Sequence, residues 1–171
     1  MIDNNGDLTI TGNGKISFKD TSAGDPNAGW GSYTITNKGK LVVGEGSIIE
    51  NLSAQNVSGQ PFAHTTFAIY QYSGSSVING GIISNSNYRS VRLWHGDMTI
   101  NGGEFNGQVW VQAVGDDAKL TINGGKFAPS WNDASSVFVE NKSHKVEFAV
   151  TGGTFEGKIG CTNANDLAGS V

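Results

Sequence analysis

Short apolar triplets recur along the chain, and most are followed by a glycine-rich turn. In a triplet such as Leu120-Thr121-Ile122, apolar residues alternate with a polar one, which is the period of a β-strand and not of a helix. Asn-Gly-Gly then allows a sharp bend. The last apolar residues of the six triplets, spaced 33, 35, 22, 22 and 28 residues apart, are Ile10, Val43, Ile78, Ile100, Ile122 and Val150. Six copies of one unit therefore fill nearly the whole chain.

Each unit contains two further apolar segments. A short second strand follows the turn, and in three copies we expect it to place a phenylalanine in the interior: Phe105, Phe127 and Phe155. A third strand has apolar first and third residues, which we also expect to point inward. The third strands are Tyr33-Thr34-Ile35, Phe67-Ala68-Ile69, Val91-Arg92-Leu93, Val109-Trp110-Val111, Val137-Phe138-Val139 and Ile159-Gly160-Cys161. No stretch combines helical periodicity with capping residues, so the predicted fold class is all-β.

Three short strands in a turn of about 22 residues predict a single-stranded parallel β-helix, a solenoid of about six coils. We place the chain in one domain, 1–171; either it is a fragment of a longer chain, or other subunits cover the ends of its solenoid. Equivalent residues should stack, so that Ile78, Ile100 and Ile122 form an aliphatic column. Asn79, Asn101 and Asn123 should form a structural ladder of side-chain amides. The predicted coils lie near residues 7–38, 39–73, 74–95, 96–117, 118–144 and 145–165.

The repeated unit Thr-Ile-Asn-Gly-Gly-x-Phe, present at Thr99–Phe105 and Thr121–Phe127, resembles the pectin-lyase-like superfamily of right-handed parallel β-helices. It is most similar to the glycine-rich, non-catalytic members found in phage fibres, tailspikes and bacterial surface proteins. The resemblance covers roughly residues 7 to 165. Together with the general rule for crossover connections, it implies right-handed coils. It implies no single activity, because that architecture carries lyases, hydrolases, adhesins and structural rods.

Composition and charge disfavour several classes of function. The chain has 11 basic and 15 acidic side chains, a formal net charge of −4 and a pI near 5.2, so it lacks the basic surface that nucleic-acid binding needs. No apolar run approaches the length of a membrane span, so we expect no membrane insertion. A single cysteine, Cys161, excludes an internal disulfide, and its place in a third strand predicts a small core residue.

Candidate catalytic and metal-binding residues are few. By resemblance, Asp116-Asp117 matches the paired aspartates of the polygalacturonase-like group and His95-Gly96 part of its histidine motif, but the order is reversed and no Arg-x-Lys follows. We interpret the aspartates as solvated turn residues and predict no catalytic residues. His64, His95 and His144 fall at unrelated positions of their coils, and the calcium-binding Gly-Gly-x-Gly-x-Asp motif is absent. We therefore expect no metal and no cofactor.

The outward positions of the third strands form the main candidate for binding. We align Ala68 with Arg92 in one outward column and Tyr70 with Trp94 in the next. A contiguous aromatic patch exposed to water is unfavourable, and aromatic residues with arginine are enriched at interfaces. We expect this patch to contact a second copy of the chain, as in a homotrimer, or a sugar ring, unless a long loop covers it. The predicted binding or oligomer interface is Tyr70, Arg92, Trp94, Trp110 and Phe138.

Long insertions fall at one corner, between the second and third strands. The two longest, 20–31 and 51–65, belong to consecutive coils and so should emerge from the same edge. Loops on one edge of a solenoid are a usual site of recognition, although capping of the core is an equal alternative. The candidate recognition residues on this edge are Trp30, Phe62, His64, Tyr88 and Trp131.

These features favour a non-enzymatic structural and binding module on an exterior surface. We expect a phage virion fibre or capsid-decorating protein that contacts other virion or surface proteins and host or environmental glycans. The N-terminus shows no basic segment followed by an apolar one, which favours a virion exterior over secretion. The alternatives are a bacterial cell-surface or secreted adhesin module and, from a different class, a small polysaccharide lyase or hydrolase. Both ends of the predicted solenoid lack a covering element.

Overall fold

The computed structural model describes residues 1–19, 31–53, 66–129, 135–140 and 142–162, with the backbone alone described at residues 86–88. In these residues the regular secondary structure is β-strand and the strand pairs are parallel. The predicted all-β class is therefore confirmed. The described part of the chain contains no helix with the length and apolar character to span a bilayer.

The strands form two sheets, and the chain passes from one to the other in every repeat. The apolar triplets supply a six-stranded sheet, whose order along the stack follows the order along the chain. Its strands are β2 (Asp7–Ile10), β5 (Lys40–Val43), β8 (Ser75–Ile78), β10 (Gly96–Ile100), β12 (Ala118–Ile122) and β15 (Val146–Val150).

The second and third segments of each repeat supply an eleven-stranded sheet. Its strands are β1 (Ile2–Asn4), β3 (Lys15–Phe18), β4 (Ser32–Asn37), β6 (Ile48–Asn51), β7 (Thr66–Gln71), β9 (Ile82–Leu93), β11 (Glu104–Gln112), β13 (Lys126–Ala128), β14 (Ser135–Glu140), β16 (Thr154–Phe155) and β17 (Lys158–Cys161). Two of them differ from the predicted pattern of three short strands: β9 and β11 each join the second and third segments into one continuous strand. In β11 the ladder with β9 is irregular between Asn106 and Val109, so the strand bends where a separate corner was expected.

The strand register agrees with the alignment of the six triplets. Ile78 pairs with Ile100, and Ile100 pairs with Ile122, all three with fully buried side chains. Val43 continues the same column on one side and Val150 on the other. Alternating side chains explain this register, because a shift of one residue would expose the whole apolar set. The core is therefore a stack of aliphatic layers between the two sheets.

The phenylalanines of the second segments form a stacked column. Phe105 and Phe127 have ring centroids 4.8 Å apart and an interplanar angle of 8°, and Phe127 and Phe155 repeat this spacing at 7°. The centroid spacing equals the separation of neighbouring strands, so parallel strand pairing itself brings the rings face to face. Each ring thus fills the same position in successive layers.

A buried amide ladder lies inside the N-terminal part of the structure and was not predicted. Asn4 Nδ2 donates to Asn37 Oδ1 at 2.6 Å, and Asn37 Nδ2 donates to Gln71 Oε1 at 2.8 Å. Ile2, two residues before Asn4, pairs with Ile35, so strand pairing begins before residue 7, near which we placed the start of the first coil. Asn37 and Gln71 are fully buried, and their mutual bonding offsets the cost of removing amides from water.

Candidate functional site

The aromatic face, which we define as Tyr70, Arg92, Trp94, Trp110 and Phe138, lies on the outer surface of the eleven-stranded sheet. Four of these residues form one row across neighbouring strands: Tyr70 pairs with Arg92, Arg92 with Trp110, and Trp110 with Phe138. Trp94 follows Arg92 by two positions and therefore projects from the same side. Row neighbours on adjacent strands stand about 4.8 Å apart, close enough for their rings and side chains to pack.

The register of this row corrects the predicted alignment at one strand. We aligned Tyr70 with Trp94, but the partner of Tyr70 is Arg92, and Ile69 pairs with Val91. A shift of two residues keeps every side chain on its own face, so hydrophobic alternation does not detect it. The misalignment arises at Gln71, which faces inward in β7 and pairs with Leu93. Because Gln71 is polar, the sequence pattern does not show that it occupies an inward position.

Arg92 occupies the centre of the aromatic face. Its guanidinium carbon lies over four rings, at 4.1 Å from the centroid of Trp94, 4.8 Å from Trp110, 5.3 Å from Tyr70 and 5.6 Å from Phe67. These distances lie within the range of cation–π attraction. Its Nε and Nη2 donate to Gln112 Oε1 at 3.1 and 2.7 Å. The positive group is thus enclosed mainly by aromatic faces and a neutral amide.

Burial shifts the ionisation of this cluster. Desolvation lowers the pKa of Arg92, an effect opposed by nearby Tyr70, Tyr33 and Glu140. Desolvation raises the pKa of Tyr70 to about 12, although the positive charge of Arg92 reduces the shift. The pKa of Tyr33 is raised for the same reason, again against the influence of Arg92. The cluster therefore keeps both phenols neutral at ordinary pH.

Tyr33 and Phe67 also join this cluster, which corrects their predicted inward positions. The Tyr33 ring lies 4.6 Å from Tyr70, and the Phe67 ring lies 6.3 Å from Trp110. Phe67 is fully buried but lies outside the aliphatic core, whereas Ala68 and Ile69 both belong to that core. Because Ala68 and Ile69 both face inward, the alternation is broken at this point, and the preceding Phe67 faces outward.

A polar network borders the rings on the side of β14. Glu140 Oε2 accepts from Trp110 Nε1 at 3.1 Å and from Gln112 Nε2 at 2.6 Å. Its other oxygen forms an ion pair with Lys142 Nζ at 3.1 Å. These contacts fix the indole of Trp110 and leave Glu140 as the carboxylate of this network. Phe138 lies at the far end of the row, where Gly160 leaves space for its ring.

Part of the face remains open to solvent. Tyr70 is almost completely buried, whereas Trp94, Trp110 and Phe138 are partly exposed. Tyr72, which the sequence analysis did not single out, is 42% exposed and extends this surface. Its ring makes edge contacts with Tyr70 at 5.9 Å and His95 at 5.5 Å. Tyr72 lies two positions beyond Tyr70, directly after the end of β7, so continued alternation could have identified it.

Arg89 is a further residue that the sequence analysis missed. It lies in β9, and its guanidinium carbon is 3.6 Å from the Trp110 ring centroid. Its Nε donates to Gln108 Oε1 at 2.9 Å. Trp110 therefore contacts two arginines.

The predicted recognition edge lies mostly outside the described residues. This applies to Trp30, Phe62, His64 and Trp131. Tyr88 is in β9, but its side chain is outside the described part of the chain. The binding role of this edge stays a prediction.

The amide ladder at the exposed turns has direct hydrogen bonds. Asn101 Nδ2 donates to Asn79 Oδ1 at 2.8 Å, and Asn123 Nδ2 donates to Asn101 Oδ1 at 2.9 Å. Thr151 Oγ1 continues the series by donating to Asn123 at 2.9 Å. These contacts hold successive turns in line.

Asp116, Asp117 and His144 come together, although we expected the histidines to lie at unrelated positions. Their ligand atoms all lie within 4.8 Å of one another, and the three residues are exposed. Asp117 Oδ1 accepts from the backbone N–H of Lys145 at 2.9 Å, which joins the two turns. Such a set of oxygen and imidazole ligands could in principle hold a divalent cation. Unequal turn lengths concealed this proximity in the sequence.

Ionisation of Tyr70 gives a direct measure of how well the aromatic face excludes water. We expect one tyrosine to titrate near pH 12 and to be missing in the Tyr70→Phe variant, as measured by ultraviolet difference spectroscopy. Because the folded protein holds this proton more tightly than the unfolded chain, stability should fall as the pH rises above 10. Titration of all four tyrosines at their ordinary pKa would contradict the burial of Tyr70.

The chemistry of the aromatic face follows from its own contacts. No family model matches this chain, and comparison with curated proteins and with solved structures found no match either. The face offers partly exposed rings for stacking, with Glu140 and Lys142 beside them as hydrogen-bonding groups. This combination suits recognition of a ligand that has both flat apolar surfaces and hydroxyl groups.

Proposed function

We propose that the chain is a non-enzymatic structural and binding module, built as a right-handed parallel β-helix of about six coils, whose aromatic face binds glycans. Its place would be an exterior surface, as in a phage virion fibre or capsid-decorating protein, or alternatively in a bacterial surface adhesin. The observation that carries this proposal is the aromatic face itself, where the rings of Trp94, Trp110 and Phe138 are partly exposed on one side of the eleven-stranded sheet.

The strand order supports the β-helical architecture. Successive triplets occupy neighbouring strands of the six-stranded sheet, and between them the chain crosses to the eleven-stranded sheet and returns. A chain that repeats this passage to the next parallel strand winds continuously in one direction. Right-handed winding follows the general preference for crossover connections between parallel strands.

The residues around the aromatic face support glycan binding in preference to catalysis. Sugar rings have apolar faces that pack on aromatic side chains and hydroxyl groups that bond to planar polar side chains. Trp94 and Tyr72 offer such ring surfaces, and Glu140 with Lys142 offers polar atoms at the edge of the rings. Polysaccharide hydrolases generally need two carboxylates on opposite sides of the scissile bond. Glu140 is the one carboxylate that the described contacts place against these rings.

Glycan arrays test this proposal. We expect the protein to bind a defined set of glycans, and Trp94→Ala to weaken binding about tenfold or more, because a central aromatic contact contributes over 1 kcal/mol. Ile82→Ala is the matched control, since Ile82 is an exposed apolar residue on the same sheet but outside the face. Absence of glycan binding by the wild-type protein, or equal binding by both variants, would refute the proposal.

A second copy of the chain is the alternative occupant of the face. Partly exposed Trp110 and Phe138 would then lie at the interface of a homotrimer, since aromatic residues with arginine are typical of such contacts. We expect sedimentation to give the mass of a trimer and Trp110→Ala to shift it toward the monomer. A wild-type protein that sediments as a monomer at all concentrations would exclude this association.

A further inference from the structure

The four rings around Arg92 form a cage, and the cage has the composition of a site for an organic cation. Trp94 and Trp110 lie nearest the guanidinium carbon, and Tyr70 and Phe67 complete the enclosure, all within 6 Å. Aromatic faces carry partial negative charge and attract cations that have little hydration, such as guanidinium and quaternary ammonium groups. Four rings around one point attract a cation more strongly than the single cation–π contact that is common in proteins.

Arg92 is held in this cage by neutral partners. It donates hydrogen bonds to the amide oxygen of Gln112 and to the phenol of Tyr33, and the tyrosines beside it are uncharged at ordinary pH. The ion pairs found between described residues involve lysine and glutamate only, so none of them ties Arg92 to a carboxylate. A hydrogen bond to a neutral amide contributes only about 0.5–1.5 kcal/mol.

The position of Arg92 also allows it to leave. The residue is partly exposed, on the outer side of β9, and its long side chain needs only rotamer changes to reach solvent. In water its guanidinium regains full hydration, which lowers the cost of departure. The rings stay behind, because Phe67 is fully buried and Trp110 is bonded to Glu140.

We propose that this aromatic cage is a binding site for organic cations of the quaternary ammonium and guanidinium class, with Arg92 as its resident and displaceable occupant. In the wild-type protein an incoming cation competes with Arg92, so its apparent affinity is reduced by the fraction of molecules in which the cage is open. Removing the Arg92 side chain should abolish that competition and leave a vacant, preformed site.

Titration with choline, followed by tryptophan fluorescence and calorimetry, tests this site. We expect Arg92→Ala to bind choline about tenfold or more tightly than the wild-type protein does. The neutral isostere 3,3-dimethylbutan-1-ol has the same shape without the charge and should bind far more weakly. Sodium chloride at equal concentration controls for ionic strength. Equal binding of the alcohol, or no gain in choline affinity over the wild type, would overturn the proposal.

Two further variants separate a cage from a general loss of packing. Arg92→Ala/Trp94→Ala lacks the nearest wall and should lose the gained affinity. Arg89→Ala removes a guanidinium that stacks on Trp110 and should create no saturable choline site. Arg92→Gln, which empties the cage while keeping a polar side chain, replaces Arg92→Ala if circular dichroism shows that variant to be unfolded. Failure of Arg92→Gln to gain affinity over the wild type would then be decisive against the site.

Discussion

Replacing Phe127 with alanine should lower the free energy of unfolding by about 3–5 kcal/mol, the usual loss for a buried aromatic residue. Phe127 is fully buried and stacks on Phe105 and Phe155 with both centroid distances at 4.8 Å. Its removal deletes two ring contacts and leaves a cavity that neighbouring layers cannot fill, because strand pairing fixes their separation. Denaturant unfolding monitored by circular dichroism measures the change.

Phe155→Ala is the matched control for this substitution. Phe155 belongs to the same column but is only partly buried, and it has one stacked neighbour among the described residues. We expect its loss to cost clearly less than that of Phe127. Equal costs at the two positions would mean that the stack contributes little beyond ordinary burial of each ring.

Gly96→Ala should be nearly as damaging, at about 3 kcal/mol, because it combines two penalties. Gly96 has a φ of +88°, where an L-residue costs about 1–2 kcal/mol. An added Cβ would also lie 2.3 Å from the carbonyl oxygen of Gly74 in the preceding repeat. One of the two backbones must therefore shift, and overpacking of this kind costs about 1–3 kcal/mol.

Two other glycines separate these penalties. Gly12 has a φ of +84°, but a Cβ added there would meet no neighbouring atom. Gly12→Ala should therefore cost only the backbone strain of an L-residue at positive φ, about 1–2 kcal/mol. Gly14 has open space and no positive φ, and Gly14→Ala should be neutral or slightly stabilising. Thermal unfolding of the three variants should therefore rank them Gly96, Gly12 and Gly14 in decreasing loss. A loss for Gly96→Ala no larger than that for Gly12→Ala would show that the contact with Gly74 is not what requires glycine at position 96.

The apolar triplets made the core predictable from sequence. Alternation identifies which residues of a strand face inward, and a register error of one residue would expose all of its apolar side chains. Ile78, Ile100 and Ile122 could therefore be aligned on the inward face from the sequence. The phenylalanine column followed from the same register. Long turns do not disturb this reasoning, since the pattern begins again at each triplet.

The details of the aromatic face were less accessible to sequence analysis. Alternation placed Arg92 and Trp110 on one surface, but a two-residue shift preserves faces, and the partner of Tyr70 was misassigned for that reason. The side chain of Phe67 faces outward because the alternation of inward and outward residues is broken at Ala68. No residue type in the sequence predicts such a break. The cage around Arg92 is formed by side chains from three different segments of the sheet and depends on their conformations. The pattern along a single strand does not determine either.

Parallel pairing between the strands described above has a mechanical consequence. In the six-stranded sheet the backbone hydrogen bonds run along the direction in which the repeats are stacked. A force that pulls the first and last repeats apart therefore loads the bonds of each interface in tension, and the weakest interface opens first. Such a molecule would lengthen in discrete steps of one repeat under load, so that it absorbs work gradually and not in a single cooperative rupture.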